Sequence, residues 1–87
     1  MNWNADATAK FEAMLNDVPA MMRGVARSMT TSEAERVATQ RGAGEVIVDD
    51  LVRGMIRATP SNLRENLKQL FQGHGIDLKE YASEFAS

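Results

Sequence analysis

The side chains that could do chemistry are few and scattered. His74 is the single histidine and lies between Gly73 and Gly75. An imidazole in such a loop is more often a solvated turn residue than a base or a metal ligand, because neither a positioned partner nor further ligands stand nearby in the sequence. Asp49 and Asp50 could suggest a magnesium site, but carboxylates at a helix start are better explained as caps. We therefore expect no catalytic residue and no metal site.

Arg23 and Arg27 are the strongest candidates for binding. Their i,i+4 spacing places two guanidinium groups on one helix face, where they could hold a carboxylate, a phosphate or an acidic protein surface. The alternative, which we favour, is that they pair with nearby acids or remain solvated, since exposed ion pairs contribute little. The acids within reach are Asp17, Glu12 and Glu33.

Trp3, Pro19 and Met22 complete the candidate binding site. Pro19 predicts a sharp corner between two helices, because the residue before a proline leaves the helical region and proline suits a first turn. We expect the indole of Trp3 to hold the first helix on the core rather than to stack on a ligand. The six methionines could offer an adaptable surface to a partner or a tetrapyrrole, although methionines at helical spacing more often fill a core.

The composition excludes several classes of function. The 87 residues, 44% hydrophobic and 25% charged, predict one ordinary globular domain. The chain has no cysteine, which argues against disulfides, thiolate metal sites and the usual ligands of iron–sulfur clusters, so we expect no cofactor. A net charge of −2 disfavours nucleic acid. Without a long apolar stretch or a secretory signal pattern, we expect a bacterial cytoplasmic protein that does not enter a membrane.

Hydrophobic periodicity predicts helix almost throughout. Asn4 caps a first helix, and a second helix runs from 19 to 41. A capping box at Ser32 and Glu35 could instead start a separate helix, but we favour one continuous helix. The pattern predicts that the buried side of this helix includes Met22, Val25, Ala26, Met29, Ala34, Val37 and Ala38.

A glycine turn and a third helix are predicted next. Gly42 and Gly44 end the second helix by supplying left-handed backbone. Residues 45–48 form an extended segment that is too short for a sheet by itself. Asp49 is the predicted cap of the third helix and can pair with Arg53 four residues later.

The remaining residues predict a helical hairpin that folds back on the first three helices. Thr59–Pro60 opens its first helix, Gly73 ends it, and a capping box at Asp77 starts a short last helix. The sequence thus predicts one all-α domain of four to five helices, with residues 1–58 as a unit and 59–87 as a C-terminal extension. The apolar side of the hairpin's first helix is predicted to comprise Leu63, Leu67, Leu70 and Phe71.

About the first 56 residues carry a spaced pattern, W-x3-A-x7-L-x3-P-x3-R-x3-R followed by E-x-A, G, V and L. Its members are Trp3, Ala7, Leu15, Pro19, Arg23, Arg27, Glu33 or Glu35, Ala38, Gly42, Val46 and Leu51. This pattern resembles the small C-terminal domain (PCP_red) of the B subunit of light-independent, dark-operative protochlorophyllide reductase, which also occurs as a free-standing protein. That family usually has a capping threonine where Ile47 stands, which is why we move the predicted cap to Asp49.

The resemblance implies a non-catalytic accessory or regulatory binding domain in chlorophyll or bacteriochlorophyll biosynthesis and photosynthesis. It also implies nitrogenase-like reductase subunits as protein partners and a tetrapyrrole ligand, with Arg23 and Arg27 at family positions. The whole family enzyme is an oxidoreductase that uses iron–sulfur clusters and ATP. Because this chain has neither cluster ligands nor a P-loop, we do not expect it to be an enzyme on its own.

The alternative function follows from the order of elements. A short helix, a long helix, a turn and a short helix within the first 58 residues also resemble the histone fold, with 34–51 matching its second half. Histone-like proteins dimerise across the long helix, so the chain could be a free-standing protein-interaction domain, homodimeric and unrelated to pigment synthesis. A C-terminal hairpin covering the same face would keep it monomeric, and both states stay open.

Overall fold

The computed structural model describes residues 1–86, and this part of the chain is mostly helical. The predicted all-α bundle, with its short, long and short helices in the first 58 residues, is confirmed. The helices are α1 (Ala5–Leu15), α2 (Ala20–Gln40), α3 (Val48–Ala58), α4 (Arg64–Gly73) and α5 (Ala82–Ala86). Two-residue strands β1 (Asn2–Trp3) and β2 (Glu45–Val46) and 3-10 turns at Ser61–Leu63 and Leu78–Tyr81 complete the fold.

The first two helices begin as the sequence predicts. The side chain of Asn4 accepts a hydrogen bond of 2.7 Å from the backbone N–H of Ala7, which caps α1. Pro19 precedes α2, which then continues without interruption through Ser32, so a separate helix starting at that residue is excluded. Gly42, with a φ of 80°, supplies the left-handed turn after α2.

The start of α3 differs from the prediction. Ile47 occupies the cap position instead of Asp49, and its backbone N–H donates to the carboxylate of Asp50 over 3.1 Å. Asp50 is the third residue of the helix and reaches back to the cap residue, as the acidic member of a capping box does. The predicted pair of Asp49 and Arg53 is present at 3.0 Å.

The start of α4 also differs. Thr59 closes α3, because its hydroxyl donates to the carbonyl of Met55 over 2.7 Å, and Pro60 leads into a 3-10 turn. The α-helix therefore begins at Arg64 rather than at Pro60. Leu63 falls in the turn and is exposed, so its predicted place on the apolar side of the helix is wrong. The predicted end at Gly73 is confirmed.

A two-residue parallel pairing joins the N-terminus to the turn after α2. Asn2 lies opposite Glu45 and Trp3 opposite Val46, and the N–H of Asn4 donates to the carbonyl of Val46 over 3.0 Å. The sequence predicts extended backbone at 45–48 but not its partner, because two residues are too few to show an alternating pattern. The pairing fixes the position of Trp3 beside α1.

The core forms where α3 packs against the second half of α2 and against α1 and α4. At the crossing of α2 and α3, a Cβ added to Gly54 would lie 2.4 Å from the backbone nitrogen of Ala34, so only glycine permits this approach. The main buried cluster comprises Phe11, Met14, Leu15, Leu51, Val52, Met55, Ile56, Leu67, Phe71 and Tyr81.

Two buried carboxylates, Asp50 and Glu84, form ion pairs that support this core. The fully buried carboxylate of Asp50 receives hydrogen bonds of 2.6 Å and 3.0 Å from Arg41. Burial acts to raise the pKa of Asp50, but Arg41 and the backbone N–H of Ile47 outweigh it and hold that pKa below its ordinary value. Glu84 ties α5 to α3 through Arg57, at 3.1 Å, and Arg53, at 3.5 Å.

Within residues 1–86, no helix is both long enough and apolar enough to cross a membrane.

Candidate interaction surface

The first half of α2 carries a row of exposed apolar side chains. We call this row the methionine face. Its members retain large exposed fractions of 97% for Met21, 52% for Met22, 63% for Val25 and 48% for Met29. Single exposed apolar residues are normal, whereas a contiguous apolar patch of a few hundred Å² is often functional.

The methionine face corrects the predicted burial of this helix. The sequence places Met22, Val25 and Met29 on the buried side of α2 together with Ala26, whereas only Ala26 packs against the core there. Apolar residues occupy two sides of the first half of α2, and a side-chain pattern alone cannot tell which side is covered. The contacts of Arg23 and Arg27 show which side of α2 is covered.

Arg23 faces the end of α1. Its Nε donates to the carbonyls of Leu15, at 2.8 Å, and Val18, at 3.0 Å, and its terminal nitrogen donates to the carbonyl of Asn16 at 3.1 Å. These carbonyls belong to the last turn of a helix and the corner after it, where backbone oxygens lack helical partners and favour a cation. Arg23 thus holds the α1–α2 corner that Pro19 begins.

Arg27 forms a two-bonded ion pair with Glu12 of α1. Its two terminal nitrogens lie 2.5 Å and 3.0 Å from the carboxylate oxygens, and the guanidinium stands 5.9 Å from the ring centre of Phe11. The hydrogen bond from Arg27 holds the pKa of Glu12 below its ordinary value. Glu12 is one of the three acids that the sequence offers as partners. Arg27 therefore pairs with a nearby acid of its own chain, as the favoured interpretation of the sequence expects.

Trp3 holds α1 and α2 together from the other side. Its ring stacks on Phe11 with centroids 5.5 Å apart and planes inclined by 15°, and its indole N–H donates to Glu35 over 3.0 Å. This agrees with the expectation that the indole holds the first helix on the core. A shallow groove of about 250 Å³ remains between these side chains, lined by Trp3, Thr8, Phe11, Glu12, Arg27 and Thr31.

Four of the five predicted site residues therefore lie where α1 meets α2. Trp3 and Arg27 share one groove, Arg23 and Pro19 lie at the corner, and Met22 points to the opposite side as part of the methionine face. Glu12 and Phe11 complete the groove, and no sequence signal beyond their helical spacing links them to Trp3. The groove's cation is already paired, whereas the methionine face carries four exposed apolar side chains.

His74 has a partner that the sequence does not show. Its Nε2 lies 2.6 Å from a carboxylate oxygen of Asp17, and the imidazole is largely covered rather than solvated. Lys10 donates to the carbonyl of His74 over 2.9 Å. These contacts join the end of α4 to α1 and to the corner that follows it. Across residues 1–86, no three His, Cys, Asp or Glu side chains are grouped so as to hold a metal ion.

The geometry defines a small helical domain with one uncovered apolar helix face. A model of the family described as "Protein of unknown function (DUF2621)" matches residues 1–85, and the chain belongs to this family. Comparisons with curated proteins and with solved structures find no match.

The family match corrects the resemblance to the protochlorophyllide reductase domain, which is wrong. The assignments to chlorophyll biosynthesis, photosynthesis and an associated oxidoreductase lose their support with it. The residues that carry the resemblance have structural roles here: Pro19 and Arg23 build the corner between α1 and α2, and Trp3 stacks on Phe11 of α1. Residues that specify a corner recur wherever two helices meet in this way, and they carry no information about a pigment.

Proposed function

We propose that this chain is a non-catalytic helical interaction domain that binds a protein partner through the methionine face, and that it does so in the cytoplasm. The observation that carries the proposal is the exposure of Met21, Met22, Val25 and Met29 in one row. Methionine side chains are flexible and polarizable, so they adapt to a partner's surface.

The charges around this row favour a protein over a nucleic acid. The two arginines of the first half of α2 face α1, where Arg23 donates to three carbonyls and Arg27 pairs with Glu12. Nucleic-acid binding relies on cations that face phosphates. On the side of this half that faces solvent, the apolar side chains lie beside Gly24 and Ser28, and none of these residues is charged.

The size of the face sets the expected strength of binding. Burying an apolar side chain contributes about 1.5–3 kcal/mol, and these four are half to fully available. Association costs at least about 4 kcal/mol in lost freedom. Counting the partner's buried apolar surface as well, we therefore expect a weak, reversible complex with a dissociation constant between about micromolar and millimolar rather than a permanent one.

The experiment is photo-cross-linking in cells of the native host, with p-benzoylphenylalanine placed at Val25 on the methionine face. A matched probe at Gln69, which is exposed on α4, reports random encounters. We expect a discrete adduct from position 25, and we expect the additional change Met29→Asp to reduce it. Adducts from position 25 that are no more abundant than those from position 69 would overturn the proposal.

A further inference from the structure

We infer that the partner of the methionine face is a second copy of this chain, paired through the first half of α2 about a two-fold axis near Val25. This inference rests on the proposed function and names its partner. A two-fold pair needs one self-complementary patch and no second binding surface. The shape, the area and the charges of the face each support such a pair.

The shape is that of a ridge beside a groove. Met21, Val25 and Met29 are four residues apart and form a raised row. Gly24, Ser28 and Ser32 form the neighbouring row, with small side chains, and they are exposed. Rows of this spacing interdigitate when two helices cross, so the large row of one copy fits the small row of the other.

Gly24 has no use within a single copy. A Cβ added there would meet nothing within 4 Å, and glycine inside a helix is less favourable than alanine. The close approach of a second helix would use the missing side chain. The same argument explains Gly54, whose missing side chain admits α2 within the chain.

The area matches a weak dimer. Each apolar side chain can bury about 60–120 Å², so the four contribute roughly 300 Å² per copy and roughly 600 Å² in a pair. Since interfaces are about 60% apolar, the total comes to about 1,000 Å². This value lies at the lower edge of specific interfaces, where micromolar dissociation constants are found.

The charges select an antiparallel arrangement. Arg36 lies on the same side of α2 beyond the methionine face, where its side chain is 61% exposed and pairs with Glu33 of its own helix over 3.5 Å. In a parallel pair the two Arg36 side chains would face each other. In an antiparallel pair centred on Val25 they are roughly 33 Å apart, because eleven residues of helix span about 16 Å on each side, and their repulsion is screened.

The first test is sedimentation equilibrium of the purified chain from about 5 µM to about 1 mM, a range that brackets a micromolar dissociation constant. We expect a monomer–dimer equilibrium, weakened at least tenfold by Val25→Asp. Valine and aspartate have similar helix propensities, so this variant should fold as the wild type does by circular dichroism. Leu63→Asp is the matched control, since it makes the same kind of change at an exposed leucine away from α2.

The second test uses engineered cysteines, because the chain has none of its own. Val25→Cys should form an intermolecular disulfide on mild oxidation, whereas Leu63→Cys should not. Met29→Cys alone should cross-link poorly, but an equal mixture of Met21→Cys and Met29→Cys chains should cross-link well. Efficient cross-linking of Met29→Cys with itself would show a parallel pair and overturn the arrangement.

The two proposals fail in different ways. Suppose that the chain stays monomeric up to about 1 mM, and that the adduct at Val25 does not have the mass of two 9.6 kDa copies. This result would overturn the inference of a second copy, but the proposed interaction domain would still hold. Loss of the position 25 adduct itself overturns both. A dimer that Val25→Asp does not weaken places the contact elsewhere and overturns the inference.

Discussion

The two halves of α2 share one helical backbone but have opposite surroundings. In the second half, Ala34, Val37 and Ala38 are buried, and Gly54 of α3 lies against Ala34. In the first half, Met21 and Val25 are exposed. A helix continues through its own backbone hydrogen bonds, so α2 can extend beyond the segment that the core covers. The comparison shows that packing fixes one half, whereas contacts with α1 hold the other and leave a face free.

The largest effect is expected from Gly54→Ala. The new Cβ would lie 2.4 Å from the nitrogen and 2.5 Å from the Cα of Ala34, and backbone atoms cannot move aside as the tip of a side chain can. We expect the free energy of unfolding to fall by about 3 kcal/mol or more, although alanine favours helix. Urea denaturation measures this change.

Gly24→Ala is the matched control for that experiment, because it is the same substitution in a helix with open space around the new Cβ. If the two substitutions changed the free energy of unfolding equally, the second half of α2 would not be more tightly packed than the first half.

Several helix ends and turns could be predicted from the sequence, because each depends on a few neighbouring residues. Asn4, Pro19 and Gly42 each act on their own turn of chain, through a cap, a fixed backbone angle and a left-handed residue, and all three behave as predicted. The order of helices follows from such signals together with hydrophobic periodicity. The fold class was therefore within reach of the sequence.

The covered side of α2 was not predictable, because it depends on how α2 packs against α1 and the core and not on the side-chain pattern of α2 alone. Met22 and Ala26 both fit a helical apolar pattern, and the hydrogen bonds of Arg23 to the end of α1 place Ala26 inward and Met22 outward. One usable signal was present: the apolar residues of the first half cover more than one side of the helix.

The second largest effect is expected from Asp50→Asn at the packed end of α2. The substitution removes the carboxylate that Arg41 binds at 2.6 Å, while an amide oxygen can still accept from Ile47. Breaking a buried pair costs about 3–5 kcal/mol. Because Arg41 is 42% exposed and can be hydrated, we expect a loss of about 2 kcal/mol at pH 7.

The same pair predicts a dependence on pH. The pKa of Asp50 is lower in the folded chain than its ordinary value of 3.8. Its stabilisation is therefore present above about pH 4 and is lost as the pH falls through the lowered folded pKa. The difference between wild type and Asp50→Asn in urea denaturation should shrink from pH 7 to about pH 2.5. A constant difference would contradict this role, and Glu65→Gln, at an 84% exposed side chain, should change little at either pH.

A smaller loss is expected from Arg23→Ala in the open half. The change removes the hydrogen bonds to the carbonyls of Leu15, Asn16 and Val18, but none of these contacts is fully buried, so water can partly replace the guanidinium. We expect a loss of about 1–2 kcal/mol by urea denaturation. Arg36→Ala, which removes an exposed arginine on the other side of α2, should change stability by less than about 0.5 kcal/mol. If both substitutions cost the same, the corner does not depend on Arg23.

The smallest effect is expected from Gly24→Ala. This substitution should change the stability of the monomer and the affinity of the dimer in opposite directions. At concentrations where the chain is monomeric, alanine should raise the free energy of unfolding by up to about 1 kcal/mol, because it favours the helix and meets no neighbour. This corresponds to a rise of about 4–8 °C in melting temperature for a domain of this size. In the dimer the new methyl group would occupy the groove that receives the large row of the second copy, so the dissociation constant should increase. If Gly24 serves the interface, Gly24→Ala should stabilise the single chain and weaken its self-association. If Gly24 has no role, the substitution should stabilise the chain and leave the self-association unchanged.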